Sequence, residues 1–203
     1  NYKITGYNRF MNILYNSSTA LGYIPKKCIK FNDYLITDEK YYSSNNRKIG
    51  VYYSTGMLMK NTSHLIDVKH FAVKDNDEIY IFGNNENNKA VLSIFNVDYS
   101  GFYYPYSMPD STLKDAVTVD NDNFMVAIGN TVYRYQKSTN GLYPFIYGID
   151  AKVMKFEDIS QTLIVAEKNK LIYFQYPYGT KTGENSFDEI IVDFQLKYNR
   201  EKY

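Results

Sequence analysis

One pattern limits what this chain can fold into. An apolar run, an Asn-Asp pair and a second apolar run recur along it. His70–Phe82 matches Asp115–Ala127 in this way, and Cys28–Thr37 has the same plan. The Asn-Asp pair falls at 32–33, 76–77 and 121–122, spacings of 44 and 45 residues. Met154–Val165 is a fourth copy, with Ile159-Ser160 in place of Asn-Asp. Asn and Asp tolerate turn backbone angles and hydrogen-bond their own main chain, so each copy reads as strand, tight turn, strand.

A second strand pair follows each copy. Ile49–Tyr53 leads to Ser54-Thr55-Gly56, and Val91–Val97 to Tyr99-Ser100-Gly101. Val132–Tyr135 leads to Ser138-Thr139-Asn140-Gly141, and Leu171–Tyr176 to Gly179. Phe102-Tyr103-Tyr104 and Leu142-Tyr143 then read as fourth strands. Four short strands every 38 to 45 residues is the period of a β-propeller blade. One such blade cannot bury both faces alone, and stacked blades bury them against each other. Ile79-Tyr80-Ile81-Phe82, apolar on both faces, fits a strand held between neighbouring sheets.

The expectation is an all-β chain: a β-propeller of about five four-stranded blades, or part of a larger propeller. A plain antiparallel sandwich is the structural alternative. Residues 1–26 read as the second half of a blade, with strands at Phe10–Tyr15 and Leu21–Ile24 around an Asn16–Thr19 turn. Residues 27–66, 67–112, 113–150 and 151–187 read as successive blades. Residues 188–203 read as a final strand, Glu189–Tyr198, and a tail. The polar insert Asn84–Lys89 reads as a flexible, exposed hairpin.

Composition supports this and narrows the chemistry. The chain has 23 Tyr, 12 Phe and no Trp, which suits half-buried pleated surfaces. Its net charge of +1 gives no electrostatic reason to expect nucleic acid. One Cys and two His leave no disulfide framework and no ordinary zinc site. No apolar run approaches the roughly 18 residues a membrane helix needs. The chain opens on Asn1 and not Met, which reads as a mature, trimmed or partial chain.

These strand–Asn-Asp–strand and strand–Ser-Thr-Gly–strand units, in a Tyr- and Asn-rich chain, resemble the C-terminal propeller of PKD-like family surface lipoproteins of Bacteroidetes. The resemblance spans about residues 8 to 198. It implies an exported protein of the outer membrane or cell surface, lipid-anchored through a residue upstream of this chain. The partners it implies are a TonB-dependent outer-membrane barrel transporter for nutrients and its surface lipoprotein lid. Cys28 does not match the lipidated N-terminal Cys of such proteins, since it falls inside an expected strand.

The residues themselves offer few alternatives. Asp75-Asn76-Asp77-Glu78 and Asp120-Asn121-Asp122-Asn123 come nearest to a calcium loop, but lack its Gly and its distant bidentate Glu. They read as turns, and no metal or cofactor is expected. His64, His70 and Cys28 lack any nucleophile elbow, and Cys28 reads as a small buried hydrophobe. Asp98, Asp110, Asp115, Glu157 and Asp158 could supply glycosidase carboxylates, but nothing selects a pair. Tyr beside turns and Pro is a different signal, because it offers a flat apolar face with a polar tip. Tyr103, Tyr104 and Tyr106, with Tyr176 and Tyr178, are the expected binding residues for a partner protein, a glycan or a peptide. The leading functional expectation is a non-catalytic surface accessory subunit of an importer. A glycan-active hydrolase or lyase and a pure assembly scaffold are the alternatives.

Overall fold

Strands rich in Tyr, Ile, Val and Phe must find a partner edge for their backbone and a partner surface for each apolar face. The computed structural model describes residues 3–7, 13–18 and 23–196, leaving out 32, 42, 45, 54–56, 65, 74–77, 98–100 and 107. For residues 3–24, 31, 73 and 101–106 it describes the backbone alone. Every regular element among the described residues is a β-strand.

The chain forms two units, Asn1–Ser107 and Met108–Tyr203. In the first, β1 (Lys3–Tyr7) pairs with β2 (Ile13–Ser18). A four-stranded meander follows: β3 (Tyr23–Phe31), β4 (Tyr34–Tyr41), β5 (Arg47–Tyr53) and β6 (Leu58–His64). A second comprises β7 (Asp67–Val73), β8 (Glu78–Asn84), β9 (Ala90–Asn96) and β10 (Gly101–Tyr106). The second unit repeats the plan. Its first sheet holds β11 (Leu113–Thr118), β12 (Asn123–Ile128), β13 (Thr131–Gln136) and β14 (Gly141–Tyr147). Its other sheet holds β15 (Val153–Glu157), β16 (Thr162–Glu167), β17 (Lys170–Gln175) and β18 (Thr180–Ser186). All pairings are antiparallel.

Turn chemistry closes two of the expected hairpins. Phe31 pairs with Tyr34, while Asn32 and the expected turn residues 54–56, 74–77 and 99–100 lie outside the described residues. In the β11–β12 turn, Asp120 Oδ1 accepts from the backbone N–H of Asp122 at 2.7 Å and of Asn123 at 2.8 Å. In the fourth copy Glu157 takes the same part, accepting from the N–H of Ile159 and Ser160. The Asn84–Lys89 hairpin is tighter than expected. Asn84 is buried, and Asn85 Oδ1 accepts from the N–H of both Asn87 and Lys89 at 3.0 Å.

Within each unit the sheets share one apolar core. Ile36, Ile49 and Val51 of one sheet pack with Val68, Phe71, Ile79, Ile81 and Phe95 of the next. In the second unit Met125, Ala127, Val132 and Ile146 pack with Met154, Phe156, Leu163, Val165, Ile172 and Phe174. Ile79, Tyr80, Ile81 and Phe82 are all at most 3% exposed, so β8 is buried on both faces. The first strands of neighbouring sheets run alongside each other, β3 against β7 and β11 against β15.

Three first strands carry a bulge, and its extra residue is a lysine each time. Lys26 falls between the paired residues Pro25 and Lys27, Lys69 between Val68 and His70, and Lys114 between Leu113 and Asp115. Bulges bend a strand and re-aim the side chain they insert.

Two sequence expectations fail. The Asn16–Thr19 turn is not formed: residues 16–18 lie in β2, where Asn16 and Ser17 pair with Thr5 and Ile4. Cross-strand pairing overrides their turn preference, and Tyr23 and Ile24 open β3 rather than closing an earlier sheet. Residues 10–12 and 19–22 lie outside the described residues. The strand expected at 189–198 is also absent from 189–196, and 197–198 lie outside the described residues. Ile190 and Val192 are exposed, and Ile191 donates its N–H to Lys168 O in the β16–β17 turn instead of to a strand.

Gly83 tests the close packing of β8 against β7 in the first unit. A Cβ there would sit 2.6 Å from the backbone oxygen of Asp67, which cannot rotate away. Gly83→Ala should therefore cost about 1–3 kcal/mol in urea unfolding, whereas wild-type stability in that variant would contradict the packing.

Candidate functional site

β14 ends its sheet with the run Gly141–Tyr147, and Pro144 within it cannot donate to a ladder, which suits an edge. A bulge between the Val132 and Tyr133 pairings leaves Phe145 as the extra residue of β14. Tyr143 and Tyr147 are 42% and 73% exposed. The Arg134 guanidinium stands 5.6 Å over the Tyr143 ring, a cation–π contact that holds the ring in place.

The β17–β18 turn is pressed against this strand. Gly179 has φ +70, and a Cβ there would lie 2.8 Å from Phe145 O, so only glycine allows the approach. Tyr176 is half-buried, edge-on to Phe156 at 5.6 Å and tilted against Phe145 at 6.2 Å. Tyr178, at the tip, is 80% exposed. β14 and the adjoining turn form an aromatic ridge on a packed floor of Phe145, Tyr176 and Phe156; Tyr178 is exposed at the turn, and Tyr143 and Tyr147 project from opposite faces of β14.

Of the five expected binding residues, Tyr178 is open and Tyr176 belongs mainly to the floor. Tyr103, Tyr104 and Tyr106 lie in β10 of the first unit, with side chains outside the described residues. Sequence reasoning missed Tyr143 and Tyr147. Pro144 inside a final strand was the signal, since it marks an edge where neighbouring rings stay accessible.

Two of the carboxylates considered for hydrolysis are committed to structural roles. Asp115 Oδ2 accepts from Met154 N–H at 2.7 Å, tying β11 to β15. Glu157 closes its own turn. Asp158 is exposed in the same turn, Asp110 is exposed before β11, and Asp98 lies outside the described residues. Asp122 accepts from Gln136 and Ser138 of the neighbouring hairpin. Asp75 and Asp77 lie outside the described residues. Among the described residues no group of three or more His, Cys, Asp or Glu is arranged to hold a metal.

The first unit buries charge in the middle of a sheet. Asp38 and Glu39 of β4 are both 0% exposed, on opposite faces. Asp38 Oδ2 accepts from Arg47 at 2.7 Å, and its Oδ1 faces His64 Nε2 at 3.2 Å. His64 Nδ1 accepts from Ile66 N–H at 3.1 Å, which makes Nε2 the protonated nitrogen of a neutral ring. Arg47 also bonds Asp67 at the start of β7. On the other face Glu39 takes hydrogen bonds from Thr37 and Tyr52 and faces Lys48 Nζ at 3.5 Å. Burial, with the Glu39 carboxylate beside it, pushes the Tyr52 phenol far up, so it stays a donor. His64 thus has a structural role. Cys28 is in a strand as expected but is exposed rather than buried, because β3 is the first strand of its sheet and its neighbours Lys26 and Lys27 are exposed too.

No family model matches this chain, and no curated protein matches it in sequence. Solved structures match in fold. The C-terminal WD40 domain of Sif2 aligns with TM-score 0.63 and 15% identity, over 94% of this chain and 56% of that one. The extracellular domain of a proposed one-component system from B. thetaiotaomicron aligns with TM-score 0.57 and 13% identity, over 76% of this chain and 21% of that one. The computationally designed Ika8 protein aligns with TM-score 0.58 and 9% identity, over 94% of this chain and 70% of that one. The chain spans little more than half the length of the first and about a fifth of the second. The fold is of β-propeller type.

Two outcomes follow from the charges. Lys48→Met leaves Glu39 buried without its cation and should cost about 3 kcal/mol, while adding Glu39→Gln should restore most of that loss in the same denaturation series. Asp150 accepts from Lys114 and Lys152, and these bonds hold its carboxyl below its ordinary value. The unfolded chain therefore takes up that proton first, and the stabilisation fades as pH falls through the depressed value. The stability gap between wild type and Asp150→Asn should be widest near neutrality and close in acid.

Proposed function

We propose that this chain is a non-catalytic binding module displayed outside the cell, which engages its partner through the aromatic ridge of the second unit. The observation that carries this reading is the ridge itself. Tyr147 and Tyr178 hold large rings in solvent at 73% and 80% exposure, on a strand and a turn fixed by the packing of Phe145, Tyr176 and Phe156. A strand and a turn fixed before binding lose little backbone freedom when a partner covers the rings they carry. Asp115 and Glu157, by contrast, are occupied in holding strands and turns, which favours binding over hydrolysis.

The partner we assign is an outer-membrane barrel transporter with its lipoprotein lid, with this chain as a lipid-anchored accessory subunit in nutrient capture. Two lines support it: the likeness of the repeats to Bacteroidetes surface propellers, and a fold match to an extracellular domain from B. thetaiotaomicron.

The test is co-purification from detergent-solubilised outer membranes, using the wild-type chain and Tyr147→Ala and Tyr178→Ala variants. Wild type should retain a barrel transporter, and each substitution should weaken retention on the order of tenfold, typical of an aromatic anchor. Thermal unfolding should be unchanged. Equal retention by all three proteins would sink the ridge, and elution without a transporter would sink the importer.

A further inference from the structure

A different site lies in the first unit. A cleft of about 360 Å³ opens where β3 runs alongside β7, lined by Lys27, Cys28 and Ile29 from one strand and Lys69, His70 and Phe71 from the other. We propose that this cleft binds a small organic monoanion, a carboxylate carried on a ring-sized apolar body.

The volume lies at the lower end of small-molecule sites, which run about 300–1,000 Å³. Both strands are bulged here, at Lys26 in β3 and at Lys69 in β7. Phe71 is buried and Ile29 half-buried, so they make an apolar wall, while His70 is steadied by the Phe82 ring at 6.3 Å. The charge of the ligand follows from the lining. Lys69 Nζ reaches Asp67 Oδ2 at 2.9 Å, an acid that Arg47 and Lys40 also face. Lys27, from the other strand, adds a positive charge with which no carboxylate pairs among the described residues. Lys27 and Lys69 thus bring two ammonium groups to the lining beside the apolar wall, where one carboxylate can accept from them.

Cys28, the one cysteine of the chain, sits in the cleft and is exposed, so it reports on occupancy. Dithiobis-nitrobenzoate carries a ring carboxylate on each half. The Cys28 thiolate, its proton lost to solvent, attacks one sulfur and the reagent's S–S bond breaks. One half remains as a mixed disulfide and the other leaves with the electron pair as a coloured thiolate. Prior binding in the cleft makes the rate saturate with reagent concentration, and free benzoate competes. Uncharged dithiodipyridine should react without saturation. Lys27→Gln and Lys69→Gln should each raise the half-saturating concentration by roughly fivefold, the scale of one charge-assisted contact, and leave the dithiodipyridine rate nearly unchanged. A rate strictly linear in the anionic reagent, or equal slowing of both reagents by the variants, overturns the proposal. Saturation-transfer NMR of benzoate is the second arm. Wild-type chain should give a signal that the Lys27→Gln/Lys69→Gln double variant loses, and no signal with wild type also overturns it.

Discussion

A strand that is apolar on both faces needs a sheet on each side of it. Residues 79–82 impose this most plainly, since Ile79 and Ile81 fill the core shared with β4 and β5 while Tyr80 and Phe82 are as deeply buried on the other face. A lone meander of four strands would leave one of those faces in water, at about 1.5–3 kcal/mol for each large side chain. Repetition of a four-stranded sheet is the answer this chain uses. The rest follows: short hairpin turns, first strands set side by side, and outer edges where Pro144 and the polar β18 are tolerated.

The buried charges of β4 stand against this apolar logic. Asp38 occupies the position where β8 has Phe82 and is held by Arg47 with His64 facing it, while Glu39 is held by Lys48 and by donors from Thr37 and Tyr52. A register slip of one residue would exchange their faces and strand both carboxylates without partners. The cluster therefore selects one pairing of β4 with β5 and links that sheet to Asp67 of the next. Gly50 is part of it, because a Cβ there would meet Tyr52, Glu39 and Thr37 within 3 Å.

What could be read from the sequence was local. Asp120–Asn123 and Glu157–Ser160 close their hairpins with their own backbone and side chains, so their chemistry is visible in a few residues. The apolar runs on either side then disclose the strands. What escaped depends on distant partners. Asn16 and Ser17 have the composition of a turn, but Thr5 and Ile4 draw them into a strand. Ile190 and Val192 alternate like a strand and have no strand to join among the described residues. Asp38 and Glu39 look like a solvated strand end until Arg47, His64, Lys48 and Tyr52 are placed around them. The ridge was half legible: Tyr178 announced itself beside Pro177 and Gly179, while Tyr143 and Tyr147 were hidden in a strand whose edge position shows only in three dimensions.

Hydrogen exchange on the intact chain tests most directly the claim that the sheets stand only by sharing cores. Peptides from β4 and β8 in the first unit should exchange through one common opening, with equal free energies and equal urea dependence. The same should hold for β12 and β16 in the second. If β8 kept its protection under conditions where β4 had already exchanged, each sheet would be stable alone, and the account of the fold would be wrong.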